Sequence, residues 1–188
     1  MALRLVMLEQ ARASMAFGRQ QFTDDYQGVF LLAIGLVASE PDLSKPQRRQ
    51  VRKTVELDRV NIENTFSMRF GERLTHSLND HPLAGCTFFL PSTETSPQTV
   101  GRKVECDLTV PDTSVSELHC ELCLVDMSTM FVTDLGSTNG TLINLQRLEP
   151  GSPTELVDEA ILTIGRYSFQ YFSAASLFNA LQVLEQSQ

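Results

Sequence analysis

No apolar run in this chain is long enough to cross a membrane as a helix. A spanning helix needs about 18 to 20 apolar residues, and the longest run, VFLLAIGLVA at 29–38, has ten. It reads as a buried element, and its Gly35 and β-branched residues favour a strand over a helix. Cysteine is scarce as well. Four cysteines in 188 residues make no disulfide framework. Cys120 and Cys123 form a C-x-x-C, but in a segment that reads as a strand, where an odd separation sends the two side chains to opposite faces. All four are expected to be reduced packing residues of a cytoplasmic protein. The N-terminus, MALRLVMLEQAR, turns charged within four residues and shows no cleavage site, so no secretory signal is expected.

Basic residues are missing from the second half. Residues 90–176 carry 4 Lys and Arg against 12 Asp and Glu, residues 1–89 carry 11 against 10, and the net charge is −8. Nucleic-acid binding relies on neutralising phosphates with Lys and Arg, so the C-terminal half is a poor candidate for it. The first 84 residues also lack a Gly-rich phosphate loop, a metal-ligand cluster and a nucleophile motif. An enzyme is therefore not expected, and neither a metal nor a cofactor is implied.

What is present changes texture near residue 84. Residues 1–84 are expected to be mostly helical. Leu5, Leu8, Arg12 and Met15 are spaced for one helix with an apolar stripe, whereas Val51, Val55, Leu57 and Val60 in the charged segment 47–78 are not cleanly helical, so helix with some strand content is expected there. The basic stretch KPQRRQVRK at 45–53 reads as a solvated face. From residue 85 short β-branched runs alternate with turn residues: TVGR, DLTV, HCELCLV, MFVTDL, TLIN, TELV, AILTIG and YSFQYF. Eight such runs, with a turn signal every 6 to 12 residues, predict an antiparallel sandwich or barrel over 85–173. The last segment, 174–188, returns to helical spacing, with Ser173 as N-cap and Leu177, Leu181 and Leu184 on one face. The overall class is α+β, built around an antiparallel β-sandwich.

Three loops stand out: VGRKVECDL at 100–108, DTSVSELHC at 112–120, and DLGSTNGT from 134. The last holds more hydrogen-bonding capacity than a turn needs, since Asn-Gly alone would make one. Alternate loops of an antiparallel sandwich gather at one end. These three would then bring Arg102, Ser116, Thr138 and Asn139 to one spot. A guanidinium, two hydroxyls, an amide and exposed turn N–H groups make an oxyanion receptor. A Ser116–His119 nucleophile is not expected, because no strand-to-helix elbow carries the serine.

GR, then S-x-x-H, then S-T-N-G, spaced along a β-sandwich, resembles the forkhead-associated (FHA) domain over about residues 85–173. The resemblance implies about eleven strands and a site for phosphothreonine-containing proteins or peptides. Through it, Arg102 and Ser116 hold the phosphate, Thr138 joins them, and Asn139 holds the peptide main chain. Gly101 lets its loop approach closely, Gly140 supports the turn, His119 ties a loop together and Asn144 braces loops. Ser114 falls where the family senses the third residue after the phosphothreonine. Two departures stand out. Glu117 occupies a position where the family often has Arg or Lys, and a carboxylate there would repel a phosphate of about −2 charge. Leu145 follows Asn144 where the family usually has Gly. The expected function is a signalling adaptor whose partner is a Ser/Thr kinase or its substrate. The alternative is a phosphorylation-independent scaffold with a degenerate phosphate site.

Overall fold

The structure is a computed structural model that describes residues 4–36, 83, 86–93 and 96–186. The expected helix at 47–78 and the basic stretch at 45–53 lie outside them. Two sheets face each other. The first has the strand order β1 (Arg4–Met7), β3 (Cys86–Pro91), β2 (Gly28–Leu36), β12 (Tyr167–Ser173), β11 (Ile161–Ile164), β8 (Thr141–Ile143) and β9 (Gln146–Arg147). The second runs β10 (Thr154–Leu156), β7 (Met130–Asp134), β6 (Cys120–Leu124), β4 (Gln98–Gly101) and β5 (Leu108–Thr109). Every pairing is antiparallel except β4 with β5. Each of the eight short runs read from the sequence overlaps one of these strands.

Within the described residues the run is a strand from 29 to 36, and its place in the sheet explains why it is apolar throughout. β2 lies between β3 and β12. Val29, Leu31 and Ala33 point into the core between the sheets. Phe30, Leu32 and Ile34 point out of the opposite face, into a second core. A strand buried on both sides needs apolar residues at every position rather than at alternate ones. Residues 28–36 therefore belong to the sandwich sheet, and a division near residue 84 does not separate them from it. Composition shows a change of texture but not which distant strands pair.

Helices cover that outer face. They are α1 (Leu8–Ser14), a 3-10 turn at Met15–Phe17, α2 (Arg19–Asp25) and α3 (Ala174–Gln186). Ala11, Met15, Phe22, Leu177, Phe178 and Leu181 are buried against the β2 face, and the Phe22 and Phe178 rings meet edge to face at 5.6 Å. Each fully buried Leu or Phe contributes about 1.5–3 kcal/mol of transfer free energy. Helix α3 begins as expected: the Ser173 hydroxyl accepts the Ser176 N–H at 3.2 Å, and Leu177 and Leu181 are buried with Leu184 half-buried beside them. The N-terminal helix is shorter than its spacing suggests. Residues 4–7 pair with β3 as a strand, so Leu5 is not on the helix stripe. The backbone bonds offered by β3 outweigh a weak helix propensity. No helix among the described residues is long and apolar enough to cross a membrane.

The β8–β9 hairpin turns on Asn144 and Leu145, with φ of 47° and 70°. A two-residue loop with both φ positive is a type I′ turn, which favours Asn-Gly. Asn144 suits it, and its Oδ1 accepts the Ile161 N–H at 2.9 Å, bracing the turn against β11. Leu145 does not, because a left-handed backbone costs an ordinary L-residue about 1–2 kcal/mol. Leu145→Gly is expected to stabilise the protein by about 1 kcal/mol, read as a higher thermal midpoint. A lower midpoint would mean that the leucine side chain contributes more than the backbone costs.

Candidate functional site

The register of the second sheet brings the three loops together. Val100 pairs with Cys120, and Cys120 with Asp134, so β4 ends, β6 begins and β7 ends abreast. The loops after β4, before β6 and after β7 leave from the same edge. Main-chain bonds then zip the first two: Arg102 N–H to Ser116 O at 2.9 Å, and Lys103 N–H to Glu117 O at 3.1 Å. Gly101 makes the approach possible, because a Cβ there would lie 2.3 Å from the Glu117 carbonyl oxygen.

His119 ties the loops from beneath. It is fully buried. Its Nδ1 accepts the Ser116 N–H at 3.0 Å, so the ring proton sits on Nε2 and faces the Gly140 carbonyl at 3.3 Å. Gly140 itself has φ of 80°, which suits glycine. One ring thus spans two loops. Burial pushes the His119 pKa down, against the Gly140 bond and the nearby Asp134 charge, which raise it.

The turn N–H groups expected to face outward are used internally. Asp134, buried at the end of β7, accepts the Gly136 N–H, the Ser137 N–H and the Ser137 and Thr141 hydroxyls, at 2.6 to 3.0 Å. Burial would raise its pKa, but the bonds from Ser137 and Thr141 hold it below the usual carboxylate value. The Thr138 N–H donates to Ser116 Oγ at 3.1 Å. The site is therefore formed by side chains. Ser116 Oγ accepts from Thr138, which leaves its hydroxyl proton to donate outward. Arg102 is anchored by Nε–H to Val115 O at 3.2 Å, and its side chain is 19% exposed. Thr138 is exposed and Asn139 half-buried, with Nδ2 donating to Ser114 O at 2.7 Å. Glu117 extends across this face. Its oxygens lie 3.9 Å from Arg102 Nη2 and 3.2 Å from Lys103 Nζ.

One expected position falls elsewhere. Ser114 is 2% exposed, so it does not form a surface for a peptide side chain. Its N–H and hydroxyl donate to Asp112 Oδ1, and its oxygen accepts the Arg166 N–H at 3.0 Å. Asn144 braces the far end of β8, away from these loops. Sequence reasoning also missed Asp112 and Arg166, whose forked ion pair ties the loop before β6 to the β11–β12 turn. Burial opposes the Asp112 charge, while Ser114 and Arg166 hold its pKa low. Its signal was D-x-S, as D-x-x-S is for Asp134: an Asp just before a serine bonds the N–H groups that follow.

Comparison with known proteins agrees with this loop pattern. Residues 98–165 match the family model of the FHA domain. The FHA domain-containing protein PS1 of Arabidopsis thaliana is 34% identical over 67 residues, which are 35% of this chain and 4% of that protein. The chain thus matches only a small fraction of that relative's length. Among solved structures, the FHA domain of an Arabidopsis thaliana hypothetical protein is 28% identical with a TM-score of 0.43, over 49% of this chain and 77% of the other. The N-terminal FHA domain of Rad53p from S. cerevisiae, solved with a phosphothreonine peptide, is 25% identical with a TM-score of 0.38, over 45% and 73%. Over residues 98–165 this chain is similar to the FHA domain family.

Proposed function

We propose that the protein binds phosphothreonine-containing proteins or peptides and acts as a non-enzymatic adaptor in Ser/Thr kinase signalling. The observation that carries this reading is the pairing of an anchored, partly exposed Arg102 with a Ser116 hydroxyl whose proton is left to donate, across two zipped loops. A phosphate offers three acceptor oxygens and about −2 charge, which suits a guanidinium fork plus a hydroxyl donor. Thr138 adds a hydroxyl at the rim, and Asn139 holds the peptide main chain. Gly101, His119 and Gly140 keep the loops in register. The four free cysteines suit a reducing compartment, which favours the cytoplasm.

The observation favouring a phosphorylation-independent scaffold is Glu117, whose carboxylate sits beside Arg102. The two readings separate in one assay, fluorescence anisotropy with a phosphothreonine peptide library beside its unphosphorylated twin. The adaptor reading expects micromolar binding by phosphorylated members alone. Equal behaviour of the two libraries would favour the scaffold.

A further inference from the structure

We infer that Arg102 and Lys103 form the two sides of an anion cradle that the Glu117 carboxylate fills, and that an arriving phosphate takes over by displacing it. This rests on the phosphothreonine reading above and adds two roles to it. Lys103 becomes a second phosphate-binding cation, and Glu117 a built-in competitor that sets how much charge a ligand must bring.

The geometry supports this in three ways. The main-chain bonds from 102 to 116 and from 103 to 117 hold these residues abreast, so Lys103 faces position 117 by construction. Glu117 bridges the cations, with one oxygen toward Arg102 Nη2 at 3.9 Å and the other 3.2 Å from Lys103 Nζ. An acid thus stands at 117, with a cation opposite it on the neighbouring loop. Lys103 and Glu117 are also about half exposed, at 54% and 47%. Exposed ion pairs are weak and exchange partners readily.

Charge decides the exchange. Glu117 brings one negative charge and meets the two cations. A phosphate brings about two charges and three oxygens, enough to bond Arg102, Lys103 and the Ser116 hydroxyl together. A peptide carrying Glu in place of the phosphothreonine brings the same charge as the resident carboxylate and gains little by replacing it. Glu117 therefore enforces selectivity for phosphate over carboxylate.

The test is anisotropy with one phosphothreonine peptide and its Thr→Glu version, on the full chain. Relative to the unaltered protein, Glu117→Gln is expected to bind the phosphopeptide roughly 3- to 10-fold tighter, and Lys103→Ala added to it to lose a similar factor. The Thr→Glu peptide is expected to bind detectably only to Glu117→Gln. Glu105→Gln, an exposed residue of the same loop as Lys103, controls for general relief of negative charge. The cradle is overturned if Glu117→Gln leaves affinity unchanged, if Glu105→Gln gives an equal gain, or if Lys103→Ala has no effect in the Glu117→Gln background. In each of those cases phosphopeptide binding that needs Arg102 would still stand. If neither the unaltered protein nor Glu117→Gln binds the phosphopeptide, the cradle and the phosphothreonine reading fall together.

Discussion

Arg102→Ala is expected to weaken phosphothreonine-peptide binding roughly 100-fold, about 2.7 kcal/mol, while the protein stays folded. Arg102 supplies the anchored charge of the site. Its Nε–H bond to Val115 O fixes the plane of the guanidinium, so little side-chain freedom remains to be lost on binding. Charge-assisted bonds are roughly twice as strong as neutral ones, so a fork onto phosphate accounts for most of this loss. The folded state loses little, because the side chain is partly exposed and gives up one bond to a main-chain carbonyl, worth about 1 kcal/mol. Arg102→Lys keeps the charge but loses both the anchor and the fork, and is expected to recover only part of the affinity. Anisotropy gives the affinities and thermal unfolding checks the fold. An Arg102→Ala protein that binds as tightly as the unaltered one would remove the guanidinium from the site.

The second large effect is on stability. His119→Ala is expected to cost about 3 kcal/mol, from a cavity and from buried main-chain groups at Ser116 and Gly140 left without partners. The same contacts predict a pH dependence. Neutral His119 accepts a hydrogen bond at Nδ1 from the Ser116 N–H, and a protonated ring would place its own N–H against that donor. Burial holds its pKa in the folded state below the ordinary 6.5. The unfolded chain takes up the proton first as pH falls. Stability is thus full above about pH 6.5 and declines as acid is added, until the folded state also protonates. The lowered pKa values of Asp134 and Asp112 act in the same direction, but only below the ordinary 3.8. Denaturant unfolding of the unaltered protein and His119→Gln between pH 7.5 and 5 separates these effects. The decline near pH 6 is expected in the first and absent in the second. Equal slopes would show that other groups cause it.

How far the sequence foretold this molecule depends on the range of the forces involved. The strands of the second sheet were legible because each alternates over a few residues, as CELCL does with Cys120 inward and Cys123 on the other face. The cap at Ser173 was legible because it acts over three residues. The place of β2 was not, because its apolar residues show burial on both faces but not which strands pair with it. Nor was β1, four residues within a helix-forming stretch. In the site, the loops that carry Arg102, Ser116, Thr138 and Asn139 meet, with the Thr138 N–H on Ser116 Oγ and the Asn139 amide on the Ser114 carbonyl. The inward turn of Ser114 was hidden, because it depends on Arg166, fifty-two residues away. The internal use of the turn N–H groups depends on Asp134, whose D-x-x-S signal is local and was overlooked rather than hidden.

The central claim is that these loops receive a phosphothreonine, and the most direct measurement is amide chemical-shift mapping in the ¹⁵N-labelled 188-residue chain. A phosphothreonine peptide selected from the library is titrated beside its unphosphorylated twin. The account predicts that shifts centre on Arg102, Lys103, Ser116, Thr138 and Asn139, and that the unphosphorylated peptide leaves them still. Shifts that appear equally with both peptides, or that gather at the opposite end around Val125 to Thr129 and Asn144, would contradict it.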